Sequence, residues 1–168
     1  MLQRIFVGLL LTGVCFDSGF QPSAPLPPEW HGTWSGKLAI ANAAGKTSEV
    51  AMSLKIEPIK GTNELTWAIT YGEGEKASLR NYKLVPGDKT DRFTIDERNG
   101  TLLDARLVNG VIYSQFEVGG NLLGARYELR GDTLRFEITS AKLADKTGKG
   151  KVQGYRVEVV QTAELKKK

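Results

Sequence analysis

The residues able to do acid–base or nucleophilic chemistry are few and poorly placed for it. The chain of 168 residues holds one histidine, His31, and one cysteine, Cys15. Both precede the body of the chain, so Ser/His/Asp and Cys/His arrangements lack a base there. The same scarcity excludes a His/Cys metal cluster of the usual kind. No glycine-rich loop leads from a strand into a helix, so the phosphate-binding fingerprints are missing. The one acidic constellation is Asp96, Glu97 and Asp104, close to a single hairpin. Two carboxylates at short range can act as acid and base, but acids flanking a turn are more simply solvated. His31, beside a proline-rich stretch, likewise reads as a solvated residue. No catalytic residue, no metal site and no cofactor is therefore expected, and the chain reads as a non-enzyme.

Binding chemistry is better represented. Trp67, Tyr71, Phe93, Phe116 and Tyr127, with Phe136, form an aromatic set spread along the body. They are candidates to line a pocket for a small, partly apolar ligand; the plain alternative is that they only pack a core. Arg106, Arg126 and Arg156 fall on the face opposite the apolar set and are expected to point outward. One turned inward would fix a carboxylate or phosphate head group, because a buried charge needs a partner. The net charge is +4. Its excess gathers late, at Lys142, Lys146, Lys149 and Lys151 in one loop, then at Lys166, Lys167 and Lys168. These could meet an anionic envelope surface; the bland reading is a solvated loop and a frayed tail. Nucleic acid is not an expected partner of an exported chain.

Export is read from the first residues. Arg4 precedes an apolar run from Ile5 to Phe16, followed by small and turn-forming residues. That is the pattern of a signal peptide, and the run is too short to span a bilayer comfortably. Cys15, Gly19 and Ala24 are each small enough for the cleavage position. A lipid anchor at Cys15 is a secondary alternative, weakened by Val14 where a small residue is usual. Pro22, Pro25, Pro27 and Pro28 then make an extended tether.

The elements that must position the aromatic set alternate apolar and polar residues with period two, which marks half-buried strands. Trp34, Gly36, Leu38 and Ile40 share one face; so do Val50, Met52, Leu54 and Ile56, then Leu65, Trp67, Ile69 and Tyr71. Further strands are expected over 78–85, around Phe93 and Ile95, and over 102–108, 111–118, 122–129, 134–139 and 152–162. Ala44-Gly45, Pro86-Gly87-Asp88, Asn99-Gly100, Asn109-Gly110, Gly119-Gly120 and Gly131-Asp132 supply turns. No convincing amphipathic helix interrupts them. About ten short strands at this spacing predict an all-β antiparallel up-and-down meander, which loses its exposed edges by closing into a barrel. A membrane-embedded barrel is disfavoured by the absence of aromatic girdles.

Gly32-Thr33-Trp34-Ser35-Gly36, at the start of the first strand, carries a resemblance. Gly-x-Trp there is similar to the opening of the calycin barrels: lipocalins, fatty-acid-binding proteins and avidins. The longer form resembles the opening of nitrobindin-type haem barrels. The resemblance implies that Trp34 plugs one end and stacks on an arginine of the last strand, for which Arg156 is the candidate. It also implies an interior ligand. No haem ligand carries over, because the only histidine precedes the barrel. The turn at Ala44-Gly45 is too short for a helical lid or a large first loop. The reading is thus a signal peptide over 1–19, a proline-rich linker over 20–29, a barrel domain over 30–165 and a basic tail over 166–168. Its expected function is non-catalytic binding of a small ligand after export, with a filled-core envelope or extracellular module as the alternative.

Overall fold

The computed structural model describes residues 26–145, 150 and 152–168. The expected leader, Cys15, most of the tether, and Lys146, Lys149 and Lys151 lie outside the described residues. Ten strands follow in chain order: β1 (Gly32–Asn42), β2 (Thr47–Ile56), β3 (Leu65–Tyr71), β4 (Ser78–Pro86) and β5 (Arg92–Asp96), then β6 (Leu102–Val108), β7 (Val111–Val118), β8 (Asn121–Arg130), β9 (Thr133–Leu143) and β10 (Tyr155–Lys167). Each pairs antiparallel with its neighbours in sequence, and β10 pairs with β1, so the sheet is a closed all-β barrel.

Alternation decides which side chains fill it. On β3, Leu65, Trp67 and Ile69 are buried while Thr66 and Ala68 are half-buried. On β2, Met52, Leu54 and Ile56 go inward. Asn109 and Gly110 both take positive φ, 50° and 77°, and make the two-residue turn between β6 and β7. Asn99-Gly100 behaves differently. Positive φ falls on Arg98 and Gly100, at 58° and 95°. The Arg98 N–H donates to Asp96 Oδ1 at 2.7 Å and the Thr101 N–H to Asn99 Oδ1 at 2.9 Å. These side-chain turns lengthen the loop beyond a two-residue hairpin.

Because the chain reverses at every strand, the barrel has two poles. One holds the start of β1 and the end of β10. A single 3-10 turn, Pro28–Trp30, lies against it, with Leu26 and Trp30 buried. The Trp34 Nε1–H donates to the Trp30 carbonyl at 2.8 Å, and His31 Nε2 lies 3.1 Å from the Leu26 carbonyl. The last residues of the expected linker therefore pack into the barrel, and His31 is half-buried. The other pole carries the loops after β1, β3, β5, β7 and β9; the loop after β3 holds one short 3-10 turn, Gly74–Lys76, and no α-helix lies there among the described residues.

Closure differs from expectation in its cation. Lys167 Nζ lies 5.2 Å from the Trp34 ring centre and donates to the Glu29 carbonyl at 3.2 Å. Arg156 is far away, opposite Lys142 at the uncovered pole, and pairs with Glu158 at 3.0 Å. Register is the reason: Trp34 lies opposite Lys167, and cross-strand neighbours share a face. An irregularity between Val157 and Val159 also interrupts the alternation of β10 near Arg156. The strand runs on past Thr162, so Lys166 and Lys167 are strand residues and not a frayed tail. Lys166 Nζ reaches Asp132 at 3.0 Å. Lys142 sits at the opposite pole from Lys166, Lys167 and Lys168, so these lysines do not form one patch.

The β1–β10 seam is tight. A Cβ added to Gly36 would lie 2.5 Å from the Glu164 carbonyl oxygen. Trp34→Ala should lower stability by about 3–5 kcal/mol, the usual cost of emptying a buried tryptophan site. Arg156→Ala, at an exposed pair, should leave the melting temperature nearly unchanged. Thermal unfolding of the two variants checks both; equal losses would contradict this account of closure.

Candidate ligand site at the uncovered pole

Most of the interior is filled. Trp34, Leu54, Ile56, Trp67, Leu84, Leu134 and Leu165 are all at most 1% exposed. Toward the uncovered pole the packing gives way to a cavity of about 120 Å³. Its apolar wall comes from Ile69, Ile95, Leu103, Phe116, Phe136 and Ile138. Its polar atoms come from Tyr71, Arg80, Tyr82, Glu97, Ser114 and Tyr127. Arg80 is exposed while Tyr71, Tyr82 and Glu97 are half-buried, so the cavity meets solvent beside Arg80. Strands β3 to β9 supply the lining, with Glu97 just after β5, and β1, β2 and β10 supply none.

Tyr71, Phe116, Tyr127 and Phe136 of the expected aromatic set line the cavity. Trp67 and Phe93 do not; they are packed below it, 0% and 2% exposed. The Trp67 and Tyr127 rings meet edge to face, centroids 5.0 Å apart, and Tyr127 meets Phe136 at 5.2 Å. Trp67 Nε1 is buried with no hydrogen-bond partner at ordinary geometry. Its dipole nonetheless reaches the Tyr127 hydroxyl, where it favours the phenolate slightly. Burial outweighs it. Desolvation, then the neighbouring Tyr71, push the Tyr127 hydroxyl well above the ordinary tyrosine range.

The mouth has its own electrostatics. Burial raises the Tyr71 hydroxyl, and the Arg80 charge opposes that rise. Burial also raises Tyr82, helped by the nearby negative charge of Glu97 and opposed again by Arg80. The three tyrosines are thus neutral donors over the physiological range.

The expected arginines lie elsewhere. Arg106 pairs with Asp91 at 2.7 Å, Arg126 with Glu128 at 2.6 Å and Arg156 with Glu158 at 3.0 Å. The inward arginine is Arg80. Its signal was in the sequence: Arg80, Tyr82 and Leu84 share parity, and Leu84 is 0% exposed. The acidic constellation is split by the same alternation. Asp96 pairs with Lys83 at 3.6 Å and Asp104 with Arg92 at 3.4 Å on the outer face, while Glu97 faces in. No carboxylate pair forms from these three. Among the described residues, no group of three or more His, Cys, Asp and Glu side chains could hold a metal ion.

No protein-family model and no curated protein matches the chain. Solved structures do. An S-type phycobiliprotein lyase from Guillardia theta superposes with a TM-score of 0.61 at 10% identity, covering 83% of this chain and 89% of that one. A protein of unknown function of the DUF3598 family from Nostoc punctiforme gives a TM-score of 0.59 at 17% identity, covering 84% of this chain. The present chain spans about half of that protein's length, 50%. The likeness is one of fold, and the closed antiparallel ten-strand meander is consistent with the barrel that the Gly32-Thr33-Trp34 opening implied.

Raised tyrosine values have a measurable consequence. A group held protonated in the fold contributes stability that is complete below its unfolded value, about 10 for tyrosine, and is lost as pH rises above it. The melting temperature should therefore fall steeply above about pH 10. Tyr127→Phe should flatten that fall relative to the parent chain. Melting curves between pH 8 and 11.5 test it, and an unchanged slope would contradict the assignment to Tyr127.

Proposed function

We propose that this protein is an exported, non-catalytic barrel that binds a small, partly apolar molecule in the cavity at its uncovered pole. The observation that carries the reading is the cavity itself: an apolar wall with a few converging polar groups, reaching solvent on one side, which is the general form of a small-molecule site. At about 120 Å³ it is smaller than sites for drug-sized ligands, roughly 300–1,000 Å³. It is close to the roughly 150 Å³ that admits a benzene ring. The buried part of the ligand is thus a small ring or a short chain.

Binding is favoured over catalysis because the three tyrosines facing the cavity are poor proton carriers near neutral pH. A general base works best with a pKa near the operating pH, and Tyr71, Tyr82 and Tyr127 are all displaced upward. Leu79, Leu102, Val118, Leu143 and Val152 are exposed at or near the same pole, and apolar exposure of this kind marks a contact region. A surface module working through a basic end has less support, since Lys142 and the terminal lysines occupy opposite poles. The apolar run behind Arg4 supports export. Shared backbone with a lyase supports the barrel and not that protein's reaction.

Native mass spectrometry of the protein purified from its own host should show a small-molecule adduct that denaturation removes. Mutation of Phe116 to Trp, which fills the cavity, should abolish the adduct with the fold intact by circular dichroism. A bare protein mass, together with no thermal shift against small aromatic and short-chain compounds, would overturn the reading. Edman sequencing of the same material should begin downstream of the apolar leader; a start at Met1 would overturn export.

A further inference from the structure

We propose that the ligand carries a single carboxylate and that Arg80 holds it at the mouth of the cavity, with the Tyr71 hydroxyl as second donor. The inference rests on the reading of the cavity as a ligand site and names the chemistry of what enters it.

The barrel's strands carry seven arginines, and six of them point outward, each meeting a carboxylate at 2.6–3.4 Å. Arg80 alone faces inward and has no carboxylate within ion-pairing distance among the described residues. It lies opposite Ile69, which lines the cavity, and two residues from Tyr82. Its charge acts on both Tyr71 and Tyr82, and all three side chains line the same cavity. The two hydroxyls are not equivalent. The Glu97 charge acts on Tyr82 and not on Tyr71. Tyr71 makes no hydrogen bond among the described residues and remains free to donate. A planar guanidinium with an adjacent hydroxyl suits the two oxygens of a carboxylate.

Glu97 tempers the charge of the mouth. Its carboxylate lines the same cavity, so the mouth carries one positive and one negative group. Both act in proportion to the charge of the ligand, so a dianion feels the Glu97 repulsion twice as strongly as a monoanion, while the planar fork of Arg80 matches the two oxygens of a carboxylate. Behind the head, Ile69, Ile95, Leu103 and Ile138 leave room for a ring or short alkyl group. The ligand class is a short aromatic or aliphatic carboxylic acid.

Isothermal titration of the purified chain tests this with matched probes: 3-phenylpropionate and octanoate against 3-phenylpropan-1-ol and octan-1-ol, and 2-phenylethyl phosphate as the dianion. The acids should bind about tenfold or more tightly than the alcohols. Arg80→Gln should remove that preference and leave the alcohols unchanged, while Arg80→Lys keeps part of it. Tyr71→Phe should weaken the acids alone. Glu97→Gln should improve the phosphate more than the acids. Arg80 is exposed, so its variants should melt as the parent does, which separates lost binding from lost fold. Alcohols binding as tightly as acids, or Arg80→Gln binding acids like the parent, would overturn the carboxylate anchor and leave the cavity reading standing. Binding of none of the probes would overturn both.

Discussion

The β1–β10 seam is the constraint on which the rest of the structure depends. A meander of ten strands has two edges, each offering unpaired N–H and C=O groups to any passing strand. Pairing the first strand with the last removes both at once. The chain secures that pairing at one end with a cluster of mutually dependent contacts. Trp34 fills the interior and donates to the Trp30 carbonyl; Lys167 comes from the opposite strand to cover its ring. Gly36 lets the β10 backbone approach closer than any side chain would allow. The five residues with which β1 opens are therefore a closure device before they are anything else.

Plugging one pole leaves the other to do different work. Large apolar side chains fill the barrel from the Trp34 end upward, and the packing thins only where the inward positions become Tyr71, Tyr82, Ser114 and Tyr127. These residues pack with their rings and keep a polar tip, so the cavity they bound is apolar below and polar at its rim. Burial keeps their hydroxyls protonated, which suits them to donate hydrogen bonds and not to move protons. Arg80 and Glu97 complete the rim with opposite charges. The outer wall is organised by a separate rule: its arginines are neutralised in cross-strand and same-strand ion pairs, such as Glu128 between Arg126 and Arg130.

Much of the barrel can be read from residue order, because period-two alternation and turn chemistry are local. Leu65, Trp67 and Ile69 announce an inward face with no knowledge of their neighbours, and Asn109-Gly110 announces a hairpin. Local pattern ceases to decide the outcome where a strand is polar or irregular. Lys166 and Lys167 resemble a tail, since the strand's last apolar residue is Leu165, yet pairing with β1 and β9 carries the ladder through them. Arg156 resembled the partner of Trp34, since the partner choice depends on a register running the length of β10 and on an irregularity beside Val157.

Residue order specifies the ten strands, the antiparallel meander and the set of aromatic residues pointing inward, because these follow from each residue and its near neighbours. The packed barrel settles which aromatics bound a cavity and which lie packed beneath it, since that depends on how side chains from seven different strands fill one volume. It also decided that Lys167 covers Trp34, that Asp96 and Asp104 turn away from Glu97, and that Arg80 is the one strand arginine facing inward without a carboxylate. Those outcomes depend on register between strands, which the spacing of residues within any one strand does not encode.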